Sequence, residues 1–144
     1  MCDFEFDAVE KANAEIMYDT KVMEIFREDS GNILGVKIRN KDGVRNIKSN
    51  SVILASGGFE ANPQMRASYL GAGWELAKVR GTRFNTGDGM KLGIDIGAQP
   101  YGNWSGCHAV AWDLNAPPFG DRVIADLYQK HSYQLGIIVN IDGK

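Results

Sequence analysis

An α+β fold with an α/β component is what this 144-residue sequence predicts, and three observations carry it. Residues 21–50 alternate apolar and polar side chains in three short runs separated by turn residues, the pattern of an antiparallel meander. The run Ser51-Val52-Ile53-Leu54-Ala55 is instead continuously apolar apart from its first residue, as in a strand covered on both faces. Helical spacing and capping residues flank both regions.

At the N-terminus, Ala8, Val9, Ala12 and Ile16 recur at helical intervals and predict the end of an amphipathic helix stopping near Ala14. Strands follow from Lys21 to Phe26, in "ILGVKIRN" and in "VRNIKSN", joined by "SGN" and "KDG" turns. Lys37, Arg39, Lys41 and Arg45 decorate the wet face of this meander. The chain then enters the expected buried strand and meets Gly57 and Gly58, where bare backbone permits positive φ and the close approach of a ligand. Asn62 followed by Pro63 reads as the N-cap and first residue of a helix.

Past Gly58 the texture changes, which predicts two domains, 1–58 and 59–144. Nine of the 17 glycines fall between Gly71 and Gly106, so irregular backbone and turns dominate there. One helix is expected inside this segment, with Asp88 as N-cap, Pro100 just beyond its end, and Met90, Gly93, Ile94 and Gly97 along one face. "LGIIVNIDGK" predicts a last strand running into an Asp-Gly turn.

Composition excludes several functions. Sixteen Lys plus Arg stand against 18 Asp plus Glu, and no basic cluster is present to neutralise a phosphate backbone, so nucleic acid is not an expected partner. No apolar run approaches the roughly 20 residues of a membrane span, and the acidic "MCDFEFDAVEK" is unlike a signal peptide, which predicts a soluble cytoplasmic protein. Cys2 and Cys107 lie outside any zinc spacing, so free thiols and no metal site are expected.

The common catalytic motifs fail on spacing. "GTRFNTGDGMK" lacks the Gly-Lys-Ser/Thr ending of a phosphate loop, because Met90 intervenes between Gly89 and Lys91. The "GAG" of Gly71 to Gly73 follows a helix instead of a strand and so does not open a dinucleotide fold. Ser105 lies three residues before His108, without the G-x-S-x-G elbow of a serine hydrolase.

A different constellation does match in order and spacing. "VILASGGFEAN", "NTGDGMKLGIDIGAQP", a histidine 20 residues after Asp88 in "SGCHAVAWDL", and "GIIVNIDGK" resemble the middle of the fumarate reductase and succinate dehydrogenase flavoprotein family. Within that family, "CHAVAWDLNAPPF" with "RGTRFN" is most similar to the FAD-dependent tricarballylate dehydrogenases. The resemblance implies an internal fragment: a meander and buried strand from a Rossmann-type FAD-binding domain, then part of an α+β capping domain. It implies FAD as cofactor in the full-length parent, not held by the fragment itself. Hydride transfer from a small polycarboxylate to the flavin is the implied reaction, with the remainder of the chain and an electron acceptor as partners. A fumarate reductase, a 3-ketosteroid dehydrogenase and a non-enzymatic binding module are the alternatives.

The same resemblance implies roles for single residues. The backbone of Val22 would lie by the adenine of FAD, and Ser56, Gly57 and Gly58 beside the ADP half of the cofactor, with Ser56 replacing the family's threonine. Gly87, Asp88 and Gly89 would bring backbone donors and a helix N-terminus against the flavin ring. His108 corresponds to a histidine that donates to a substrate carboxylate, and Arg122 is a candidate second carboxylate ligand; His131 matches nothing and is expected at the surface. The family's proton-transfer arginine would follow Lys144, so no catalytic residue is expected within these residues and the fragment alone is expected to be inert.

Overall fold

The computed structural model describes residues 2–125 and 127–144. It contains two compact units, Met1–Ile53 and Leu54–Lys144.

In the first unit, helix α1 spans Cys2–Lys11. Asn13 takes a left-handed conformation (φ 52°) and closes the helix just short of the expected end at Ala14. Three strands follow, β1 (Lys21–Arg27), β2 (Ile33–Asn40) and β3 (Gly43–Lys48), paired antiparallel in the order β1-β2-β3. The register sets Ile25 opposite Val36 and Ile38 opposite Arg45, and the dry face centres on the buried Ile25 and Ile38. Lys37 pairs with Glu24 across the other face. Gly35 is required at its position: its φ is 143°, and a Cβ there would fall on the Ile47 carbonyl oxygen.

The second unit is built on loops. Helix α2 (Pro63–Leu70) begins as its sequence dictates, with the Asn62 side chain accepting from the Met65 N–H at 3.1 Å and Pro63 in the first turn. Phe59, Tyr69 and Trp104 form an aromatic cluster with ring centroids 4.9–6.2 Å apart, tying the start of the unit and α2 to the loop near residue 104. Ala61, Val79 and Ala116 are its buried apolar residues. Helix α3 spans Asp88–Asp95, and Gly97 (φ 91°) ends it, its N–H donating to the Ile94 carbonyl.

Three expectations are corrected. Ser51–Ala55 is not a strand: it has no ladder partner among the described residues, and Ile53 is 90% exposed. An apolar run reports a tendency to be buried, but a strand also needs a neighbour to pair with, and β1 to β3 pair only with one another. "LGIIVN" likewise forms no strand, and Ile137 and Ile138 are exposed. The turn that follows does form, with Asn140 Oδ1 accepting from the N–H groups of Asp142 and Lys144. Finally, the N-cap of α3 is Gly87 (φ 81°), which makes Asp88 the first helical residue. A side chain at Gly87 would run into Met65 and Phe59, so the buried, left-handed cap position excludes any residue but glycine.

Candidate functional site

The second unit gathers most of the residues singled out in the sequence. Gly57 turns the chain with φ 76°, and a Cβ there would come within 2.9 Å of the Asn85 side chain. Gly58 accepts from the Gly87 N–H at 3.0 Å, and Ala61 donates to the Asn85 carbonyl at 2.9 Å. Asn62 Nδ2 donates to the Thr86 carbonyl at 2.9 Å. These bonds lash the Ser56–Gly58 turn to the 85–89 segment. The closest approach is at Gly89, where an added Cβ would land on Ser56 Oγ. Gly87 and Gly89 are buried, packed against Met65 and Phe59 and against Ser56 respectively, while Ser56, Gly57 and Asp88 are exposed at the start of α3. The first-turn N–H groups of a helix have no carbonyl partner within it and favour negative charge.

His108 is exposed and lies between two openings. One, about 390 Å³, it shares with Gly58, Arg66, Lys78 and Met90; the other, about 370 Å³, with Lys78, Trp112 and Asp113. The imidazole therefore opens onto the same cavity as the glycine turn. Arg122 does not: it lines an adjoining cavity of about 540 Å³ with Arg83 and Asp121, and Arg80 borders all three openings. Val22 belongs to the first unit. There Val22 pairs with Ile38 and Glu24 with Lys37, so Met23 is an extra residue and the backbone beside Val22 bulges from the ladder. His131 is exposed in a short 3-10 turn.

Two supporting residues carried no signal in the sequence. Arg66 is buried, and its guanidinium donates to the carbonyls of Glu60, Trp74 (2.8 Å), Glu75 (2.9 Å) and Ala77 (3.1 Å). It fastens the 74–77 turn to the chain just past the glycine turn and shapes one wall of the His108 cavity. Lys78 similarly caps the carbonyls of Leu114 and Ala116. Neither has a local pattern to read, since the Arg66 acceptors lie 6–11 residues away and those of Lys78 36–38 residues away.

Asp113 sets the charge on the second opening. Lys130 Nζ, 2.6 Å away, and the Asn115 N–H at 2.8 Å both donate to its carboxylate, which is thereby held below the usual carboxylate range. The adjacent Trp112 bridges to Gln129, so this pair closes the neck between residues 111–113 and 128–130. Among the described residues no His, Cys, Asp and Glu cluster could hold a metal ion, and Cys107 is an exposed free thiol.

A family model described as an FAD binding domain matches residues 2–138. The NADH:acrylate oxidoreductase of Vibrio harveyi is 33% identical over 99 residues, 65% of this chain and 10% of that protein. The 3-oxosteroid 1-dehydrogenase of Mycolicibacterium smegmatis is 34% identical over 94 residues, 61% of this chain and 16% of that protein. In three dimensions, the open conformation of a flavocytochrome c3 fumarate reductase matches with a TM-score of 0.63 at 26% identity, over 67% of this chain and 17% of that one. The chain thus spans less than a fifth of the length of each of these relatives.

Proposed function

The chain belongs to the FAD binding domain family, with FAD as its cofactor, and from that premise we propose that it serves an oxidoreductase that dehydrogenates a small polycarboxylate, of the tricarballylate to cis-aconitate type. Its relatives are oxidoreductases, one of them named for acrylate and another for fumarate, both unsaturated carboxylic acids. On this reading residues 1–58 contribute to the FAD-binding domain and residues 59–144 to a domain that caps the substrate.

The observation that carries the proposal is the joining of the Ser56–Gly58 turn to Gly87–Gly89, with His108 open to the cavity that Gly58 also lines. A glycine turn beside a helix N-terminus suits a flat, electron-accepting ring, because it offers N–H donors and a favourable dipole. FAD, when bound, supplies the hydride acceptor. Ser56, Gly57, Gly58, Gly87 and Gly89 of the second unit would hold it, with the Ser56 hydroxyl toward the ADP half, and Asp88 would start the helix whose dipole favours negative charge on the ring; the Val22 backbone would be the first unit's contribution to the ADP half. His108 donates to a substrate carboxylate and so fixes which carbon faces the cofactor. Arg122 contributes a second carboxylate contact from the neighbouring cavity. The remainder of the chain and an electron acceptor complete the cycle.

The steroid relative favours a second reading, a 3-ketosteroid dehydrogenase. Steady-state assays of the FAD-loaded full-length protein with an artificial electron acceptor separate the two. Tricarballylate should be oxidised faster than succinate, and 3-ketosteroids not at all; steroid oxidation without polycarboxylate oxidation would overturn the proposal.

A further inference from the structure

The two glycines of the turn at 57–58 are crowded by the chain's own side chains. A Cβ on Gly57 would come within 2.9–3.0 Å of the Asn85 carboxamide, and a Cβ on Gly58 within 2.8 Å of Glu60 Oε2. These two neighbours are joined, because Asn85 Nδ2 donates to Glu60 Oε1 at 2.5 Å. One hydrogen-bonded pair therefore lies against both glycines, its amide on the first and its carboxylate on the second.

The backbone of the same two residues is also committed. The Ala61 N–H donates to the Asn85 carbonyl at 2.9 Å, and the Glu60 carbonyl accepts from the guanidinium of Arg66, the buried residue of α2. Asn85 stands two residues before Gly87, so the pair spans the glycine turn and the lead-in to α3 with one member on each segment. A turn built on two glycines has many backbone shapes of similar energy, and glycine loses more freedom on ordering than any other residue. Without the pair, that ordering has to accompany ligand binding, and affinity falls by what it costs.

We propose that Glu60 and Asn85 are positioning residues for FAD, their side-chain hydrogen bond holding the Gly57–Gly58 turn in the shape that binds the cofactor. The inference rests on the reading above, in which this turn and Gly87–Gly89 hold FAD. The pair acts through the backbone of the two glycines and needs no contact of its own with the cofactor. Its carboxylate charge does not serve the purpose, since a negative group near the phosphates of FAD repels them. A neutral acceptor of the same shape at position 60 therefore suffices.

The test is the Kd of FAD, read from the quenching of flavin fluorescence as FAD is added back to the full-length protein stripped of it. Asn85→Ala and Glu60→Ala should each weaken FAD at least fivefold, and the double variant should bind no more weakly than the weaker single one, because either change breaks the same bond. Glu60→Gln should stay within about twofold of wild type, its amide oxygen accepting from Asn85 Nδ2 in place of the carboxylate. Gly57→Ala reports on the turn itself: its methyl would meet Asn85 at a φ of 76°, and it should weaken FAD at least tenfold. Losses that add in the double variant, or a Glu60→Gln as weak as Glu60→Ala, would overturn the proposal. Wild-type affinity in both alanine variants of the pair, with Gly57→Ala impaired, would overturn it and leave the cofactor reading intact. Wild-type affinity in Gly57→Ala would remove the turn from the cofactor and overturn both.

Discussion

His108 and Asp113 show how single side chains carry different burdens within one segment. His108 is exposed at the mouth of its cavity, and on the proposed reading it donates to a substrate carboxylate, a hydrogen bond to a charged group worth about 2–3 kcal/mol. His108→Ala in the full-length protein should therefore lower kcat/KM for the polycarboxylate by roughly thirty-fold to a hundredfold, with normal FAD content. His131→Ala, a change at an exposed 3-10 turn, should alter neither quantity by more than about twofold. Wild-type kinetics in His108→Ala, or loss of its flavin, would remove the histidine from the substrate. Asp113 acts on stability. Its carboxyl is depressed in the folded chain by the Lys130 ammonium and the Asn115 N–H, so its contribution is full above the ordinary carboxylate value of about 3.9 and is lost as pH falls through the folded value. The stability difference between wild type and Asp113→Asn, followed by denaturant unfolding, should be constant at neutral pH and shrink on acidification. A difference that stays the same into acid would show that the Lys130 pair contributes nothing.

At the scale of elements, the glycine turn and the start of α3 act as one wall because Gly89 leaves room for Ser56. Gly89→Ala should push the two apart and cut FAD occupancy at least tenfold, and Ser56→Gly in the same chain should restore only part of it, because it vacates the space the new methyl needs but removes the hydroxyl assigned to the ADP half. Full FAD occupancy in the single variant, or no recovery in the double one, would separate this contact from cofactor binding. The same elements show what a sequence can disclose. The meander was legible because alternation and short turns are local, and Asn62-Pro63 because capping spans only three residues. Ser51–Ala55 and "LGIIVN" misled because strand pairing depends on a distant partner, which no apolar run announces. Motif spacing singled out the glycines and His108, and the structure brings Gly58 and His108 to one cavity. The roles of Arg66 and Lys78 were not legible, because their carbonyl acceptors belong to turns that come together only in the folded chain.

The molecule as a whole carries far more apolar surface than five buried hydrophobic side chains can account for among the described residues. Ile53, Val123, Leu135, Ile137 and Ile141 are each at least 90% exposed, a pattern foreign to a stably folded domain of this length. No described helix is long and apolar enough to cross a membrane. The central element of the proposed function is that a polycarboxylate gives its hydride to the flavin. The most direct measurement is an anaerobic titration of the FAD-loaded full-length protein with tricarballylate, followed by the absorbance of the oxidised flavin. The account predicts bleaching of that band with the unsaturated tricarboxylate formed in step with the flavin reduced. A band unchanged by tricarballylate or succinate, in protein whose flavin a chemical reductant still bleaches, would contradict it.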